Sequence, residues 1–185
     1  MSIPDMNLRY TYSDYYSWDD GERWELIDGI PYAMSPAPTP SHQSICINLI
    51  IQIGDYLKGK PCKLFAAPFD VRLNAHREDN TVVQPDLAVI CDHSKINDKG
   101  CIGAPDFIIE ILSPSTAGHD RVVKLQQYLK AGVREYWIVD PDTKIVQIFI
   151  LEGDRYFTTA YADTDIAPVS VLPGCEIILE DVFDI

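Results

Sequence analysis

The sequence predicts an α/β fold: a mixed β-sheet core flanked by helices, with an N-terminal hairpin and a C-terminal antiparallel meander. Three patterns predict it. Residues 82–90 and 107–112 are nearly continuous apolar runs of strand length, as central strands covered on both faces require. Ile45, Leu49, Ile53 and Leu57 recur at helical spacing. A helical pattern at 119–131 lies between the 107–112 run and a further strand at 135–139. Strand, helix and strand in that order make a right-handed crossover the default.

The elements follow in order. Residues 11–20 predict a short opening helix. Residues 24–27 and 30–34 flank Asp28-Gly29, a hairpin signal because both residues tolerate positive φ. The Pro/Ser-rich stretch 35–41 leads into a helix that Thr39 caps and Pro40 begins. Cys46 and Ile50 widen its apolar stripe, and Gly59 and Pro61 stop it. Residues 63–73 read as one strand, 75–80 as a polar loop, and 82–90 as the next strand. Ser113-Pro114-Ser115-Thr116 turns into the 119–131 helix, whose inward face is read as Val122, Leu125, Tyr128 and Leu129, with Gly132 ending it. Strands at 144–151 and 155–161 form the meander, and short strands at 169–172 and 176–179 surround Pro173-Gly174.

With 185 residues, 46% hydrophobic and 23% charged, the composition is that of a soluble globular protein, and one domain spanning 1–185 is expected. No apolar run approaches the ~20 residues of a membrane span. The start of the chain lacks the pattern of a signal peptide, so a cytoplasmic location is expected. The net charge of -13 argues against holding nucleic acid by bulk electrostatics. It does not exclude a nucleic-acid enzyme, since metal ions at a carboxylate site reverse the local field. Cys46, Cys62, Cys91, Cys101 and Cys175 are odd in number and contain no CxxC pair; free thiols in a reducing compartment are expected.

Function shows where charge interrupts an apolar pattern. Glu110 sits inside Phe107-Ile108-Ile109-Glu110-Ile111-Leu112, and an unpaired buried carboxylate would neutralise or destabilise the fold. A metal, a buried base or a strand end opening on a cleft would justify it; so would an arginine. Asp86 opens the apolar stretch that follows Pro85. Taken alone it reads as a strand-entry turn; paired with Glu110 it makes two carboxylates suited to a hard divalent cation. Lys124 and Asp120 are one helical turn apart, either a solvated pair or neighbours of that cation site. Glu25, between Trp24 and Leu26, reads first as the polar face of an alternating strand. His42 reads first as a structural residue of the first helical turn. Ser113-Pro114-Ser115 resembles a nucleophile loop only superficially and reads also as a helix lead able to face an anion. Walker, GxGxxG, GxSxG and HExxH patterns are missing.

Pro85-Asp86 followed by Glu110-Ile111-Leu112 resembles the PD-(D/E)xK nuclease signature, except that leucine replaces the expected lysine at 112. Lys124 stands where a lysine migrated to the following helix would be. The stretch from Glu110 to Pro141, with Glu25-Leu26-Ile27-Asp28-Gly29 and Gln84-Pro85-Asp86-Leu87-Ala88-Val89-Ile90, resembles the Uma family of restriction-endonuclease-like proteins across most of the chain. That resemblance implies a restriction-endonuclease-like core and an Mg²⁺- or Mn²⁺-dependent endonuclease acting on nucleic acid, DNA in the first instance, as a homodimer. It implies Asp86 and Glu110 as metal ligands with the Ile111 carbonyl as a third. Lys124 would orient or polarise the attacking water or the phosphate, and Glu25 would be the acidic residue supplied by an N-terminal element. His42 matches a family position. A non-catalytic binding module of the same fold, a hydrolase of another phosphoester, and a scaffold with Glu110 paired to Arg121 or Arg134 are the rival expectations.

Overall fold

In the computed structural model, residues 4–34, 37–113 and 118–184 are described. The strands divide between two six-stranded sheets and a two-stranded ribbon. Both large sheets are mixed, as the sequence predicts.

The chain opens with α1 (Tyr12–Tyr15), a single turn rather than the longer helix expected over 11–20. Asp14 accepts from both the N–H and the hydroxyl of Thr11, at 2.8 Å each, which fixes the start of this turn. β1 (Trp24–Ile27) and β2 (Ile30–Ala33) form the predicted hairpin. Its corner is Asp28 and Gly29, both at positive φ (49° and 77°), the geometry of a two-residue turn between right-twisted strands. α2 (Pro40–Leu57) also forms as expected, with Thr39 Oγ1 accepting the His42 N–H at 3.2 Å.

Two predicted strands prove to be two each. Residues 63–73 split into β3 (Lys63–Ala66) and β4 (Val71–Arg72), and residues 82–90 into β5 (Val82–Val83) and β6 (Leu87–Ile90). The breaks fall at Pro68 and Pro85, which bring no N–H to a ladder. At each break the chain passes between the sheets. β1, β2, β4 and β5 join β7 (Ile96–Asn97) and β8 (Gly100–Ile102), which the sequence did not suggest, in the order β2-β1-β5-β4-β8-β7. β3 and β6 join β9 (Phe107–Ile111), β10 (Glu135–Asp140), β11 (Ile145–Glu152) and β12 (Arg155–Ala162) in the order β12-β11-β10-β9-β6-β3. β9 and β10 run parallel, as the expected crossover demands, and β10 to β12 form the meander. The terminal ribbon is β13 (Ile166–Val169) with β14 (Cys175–Ile178), a few residues away from the expected ranges, and α4 (Leu179–Val182) follows it.

Alternation along β9 sorts its side chains to two cores. Phe107, Ile109 and Ile111 pack with Ile45, Leu49 and Ile53 of α2. Ile108, on the opposite face, packs with Tyr128, Tyr136 and Ile27. Glu110 has the parity of Ile108, so it points away from α2. Among the described residues no helix is long and apolar enough to cross a membrane.

The expectation of five free thiols is corrected. Cys62 and Cys91 form a disulfide. They flank β3 and β6, whose antiparallel register sets Lys63 opposite Ile90 and so brings residues 62 and 91 face to face. Their separation of 29 residues hides this in the sequence. Thiol titration of protein unfolded without reductant should count three groups, Cys46, Cys101 and Cys175. Reduction should cost about 3–4 kcal/mol of stability for a loop of this length, read from denaturation with and without dithiothreitol.

Candidate functional site

Both sheets contribute to one acidic cavity of about 700 Å³. Glu25 comes from β1 of the first sheet and Glu110 from β9 of the second. Asp86 lies in the Gln84-Pro85-Asp86 segment that carries the chain from one sheet to the other. The fourth contributor is the segment after β9, a π-helical stretch (His119–Lys124) continuing into α3 (Leu125–Ala131).

Lys124 closes the two sheets together. Its ammonium lies 2.9 Å from Glu25 Oε1, 3.0 Å from Glu110 Oε1 and 3.4 Å from Asp120 Oδ1. All four groups are buried, between 2% and 5% exposed. Tyr128 donates its hydroxyl to Glu110 Oε1 at 2.7 Å. Glu25 Oε1 also accepts the Gln84 N–H at 2.8 Å. Asp86 Oδ2 accepts the Ile111 N–H at 2.7 Å and lies 3.2 Å from His42 Nε2. His119 packs tilted against the Tyr32 ring at 4.6 Å, and its Nε2 is 3.9 Å from Glu25 Oε2.

The electrostatics follow from burial. Among the described residues four carboxylates (Glu25, Asp86, Glu110 and Asp120) line the cavity, and Lys124 is the single buried cation among them. Burial pushes the Glu110 pKa well up despite the Lys124 charge beside it. Burial also works against the Lys124 ammonium, but Glu110, Glu25 and Asp120 outweigh it and hold it charged. For His42 burial is likewise opposed by the hydrogen bond and charge of Asp86 and by the Ile111 carbonyl, and its pKa is raised. Burial, with Lys124 nearby, lowers that of His119.

All six residues singled out in the sequence are therefore neighbours: Asp86, Glu110, Ile111, Lys124, Glu25 and His42 all line this cavity. Two readings are corrected and one open choice is decided. Glu25 is not on a solvated face, because β1 is buried throughout. The Asp120–Lys124 pair is buried rather than solvated. The 119–131 helix is turned so that Asp120, Lys124, Gln127 and Tyr128 face inward, while Val122 is 61% exposed. A polar line at i, i+4, i+7 and i+8 carried that signal. Pairing of Glu110 with an arginine is also overturned: Arg121 binds Asp140 and Gln147, and Arg134 binds Asp106. Tyr128, Gln84 and His119 join the cavity network although no pattern in the sequence singles them out for chemistry. Pro114, Ser115 and Thr116 lie outside the described residues.

The donor set matches a hard divalent cation in part. Among the described residues the hydrogen bonds to Asp86 fall on Oδ2 and those to Glu110 on Oε1, so each keeps a second carboxylate oxygen for a ligand. The surplus of negative charge is what a cation would offset. Among the described residues no group of three or more His, Cys, Asp and Glu side chains is arranged to hold a metal. Water would complete the shell, the coordination Mg²⁺ favours.

Comparison with known proteins bears on the fold and the family. An uncharacterized protein of Synechocystis is 26% identical over 134 residues, covering 71% of this chain and 68% of the relative. A crystal structure described as a "putative nuclease belonging to DUF820" from Anabaena variabilis superposes with a TM-score of 0.76. At 21% identity, it covers 94% of this chain and 97% of the other, and shares its fold. The Uma2 family, described as "Putative restriction endonuclease", matches residues 12–180. The chain belongs to the Uma2 family.

Proposed function

We propose that the chain is a divalent-metal-dependent endonuclease that hydrolyses phosphodiester bonds of DNA in the acidic cavity. One observation carries the reading: Lys124, from the helix after β9, reaches back to within 3.0 Å of Glu110 in a cavity that Asp86 also lines. Asp86 and Glu110, with the Ile111 carbonyl, would hold Mg²⁺ or Mn²⁺. Such an ion, when bound, lowers the pKa of a water and offsets charge developing on the phosphate.

The chain's own residues supply position. The Ile111 N–H and His42 fix the Asp86 carboxylate. Glu25 anchors Lys124 against Glu110. An ammonium has three donors, and three carboxylates surround this one. Lys124 thus orders the carboxylates first. It reaches water or phosphate only by opening its longest contact, that to Asp120. Residues 1–185 are taken as one nuclease-like domain working as a homodimer, on the family resemblance alone.

The enclosure of Lys124 also favours a second reading, a non-catalytic module that keeps the fold. A cleavage panel of plasmid, linear, single-stranded and branched DNA separates the two. Cutting with Mn²⁺ or Mg²⁺ that stops in EDTA and in Asp86→Ala is the expected result. No cutting of any substrate would move the conclusion to the binding module, and cutting that persists in Asp86→Ala would place the chemistry elsewhere.

A further inference from the structure

Beside the acidic cavity lies a second cleft of about 200 Å³ walled by Tyr15, Tyr16, Trp18 and Trp24. The two share Arg23 and Gln84. The aromatic walls are fixed. Trp18 meets Trp24 edge-on at 6.0 Å and Tyr15 at 5.5 Å, and Trp24 Nε1 is tied to Asp20 at 3.0 Å. Tyr16 nevertheless stays 58% exposed. A rigid aromatic cleft with an exposed ring suits the flat face of a nucleobase, whichever base it is.

Gln84 joins this cleft to the acidic cavity. Its N–H holds Glu25 at 2.8 Å. Its amide nitrogen donates to the Tyr15 hydroxyl at 3.1 Å and to Asp70 at 2.8 Å. Its amide oxygen accepts from Arg23 at 3.2 and 2.6 Å. Arg23 therefore stands between the clefts with two of its five N–H groups on a neutral oxygen and, among the described residues, no ion pair, unlike Lys124, which carboxylates enclose. Lys99 Nζ stands 3.8 Å over the Tyr16 ring, a second cation at the same edge. Glu22 and Asp20, at the cleft itself, oppose a phosphate there. The charge pattern thus puts the base inside and its phosphate on Arg23.

Resting on the endonuclease reading above, we propose that the substrate is an unpaired strand of DNA, with one base stacked in the Tyr16–Trp18 cleft and the adjoining phosphate on Arg23. Bases in a duplex are stacked on each other and offer no free face, so single strands, frayed ends and branches are the class selected.

Tryptophan fluorescence in EDTA tests this without cleavage, using an oligothymidylate of about 12 nucleotides and a duplex of the same length. Trp18 and Trp24 report the cleft, while Trp137 is fully buried. Quenching by the single strand, with affinity about tenfold above the duplex, is expected. Tyr16→Ala and Arg23→Gln should each weaken single-strand binding about tenfold, Tyr16→Phe should not, and Arg23→Gln should reduce the salt dependence. Both residues are exposed, so circular dichroism should match wild type. Equal affinity for the two probes, or unchanged binding by folded Tyr16→Ala and Arg23→Gln, would overturn the proposal. Metal-dependent cutting with that outcome would leave the endonuclease standing and remove only the base cleft. Single-strand binding through these residues without cutting in any metal would do the reverse.

Discussion

Replacing Lys124 with methionine is expected to lower stability by about 3–5 kcal/mol, the cost of removing one partner from a buried ionic cluster. Glu25, Glu110 and Asp120 are 5%, 4% and 2% exposed, and this ammonium is the cation they share. Methionine fills the space of the stem but leaves three carboxylates without their counter-charge. The urea midpoint should fall with its slope unchanged. Adding Glu110→Gln to the methionine variant should recover part of the loss, since fewer buried charges then lack a partner. A loss below about 1 kcal/mol would mean that solvent screens the cluster, as at an exposed ion pair.

The largest effect on activity is expected at Asp86. On the endonuclease reading, Asp86→Asn should reduce metal-dependent cleavage by at least about 10³-fold, because a bound ion would lose an anionic ligand worth several kcal/mol in the transition state. Stability should change by only about 1 kcal/mol. The side-chain oxygen of asparagine still accepts the Ile111 N–H, and the carboxylate it replaces is already 21% exposed. Measuring unfolding and initial cleavage rates on the same preparation separates the two effects. Wild-type cutting by this variant would remove Asp86 from the list of ligands.

Some of this site could be read from residue order and some could not. Asp86 and Glu110 stood out because charge in an apolar run has to be explained locally. Glu25 read first as the polar face of a strand, because the partner that justifies its burial, Lys124, is distant in sequence and belongs to another element. The long strands at 63–73 and 82–90 looked continuous because apolar alternation is the same in either sheet; Pro68 and Pro85 were the only marks of the crossings. On the 119–131 helix, Tyr128 and Leu125 do face the core, but Val122 does not, because the inward face is shared with a polar line that runs from Asp120 and Lys124 on to Gln127. Cys62 and Cys91 needed the β3–β6 register before they could be paired.

The seam between the sheets also sets an order of events during synthesis. Glu25 and the hairpin that carries it are made first, then Asp86, then Glu110, and Lys124 last of the four. Until that lysine leaves the ribosome, the carboxylates have no cation to draw them together across the two sheets. A nascent or truncated chain therefore carries scattered acids and no assembled centre. On the endonuclease reading, any cutting would wait until most of the chain had been made and both sheets had docked.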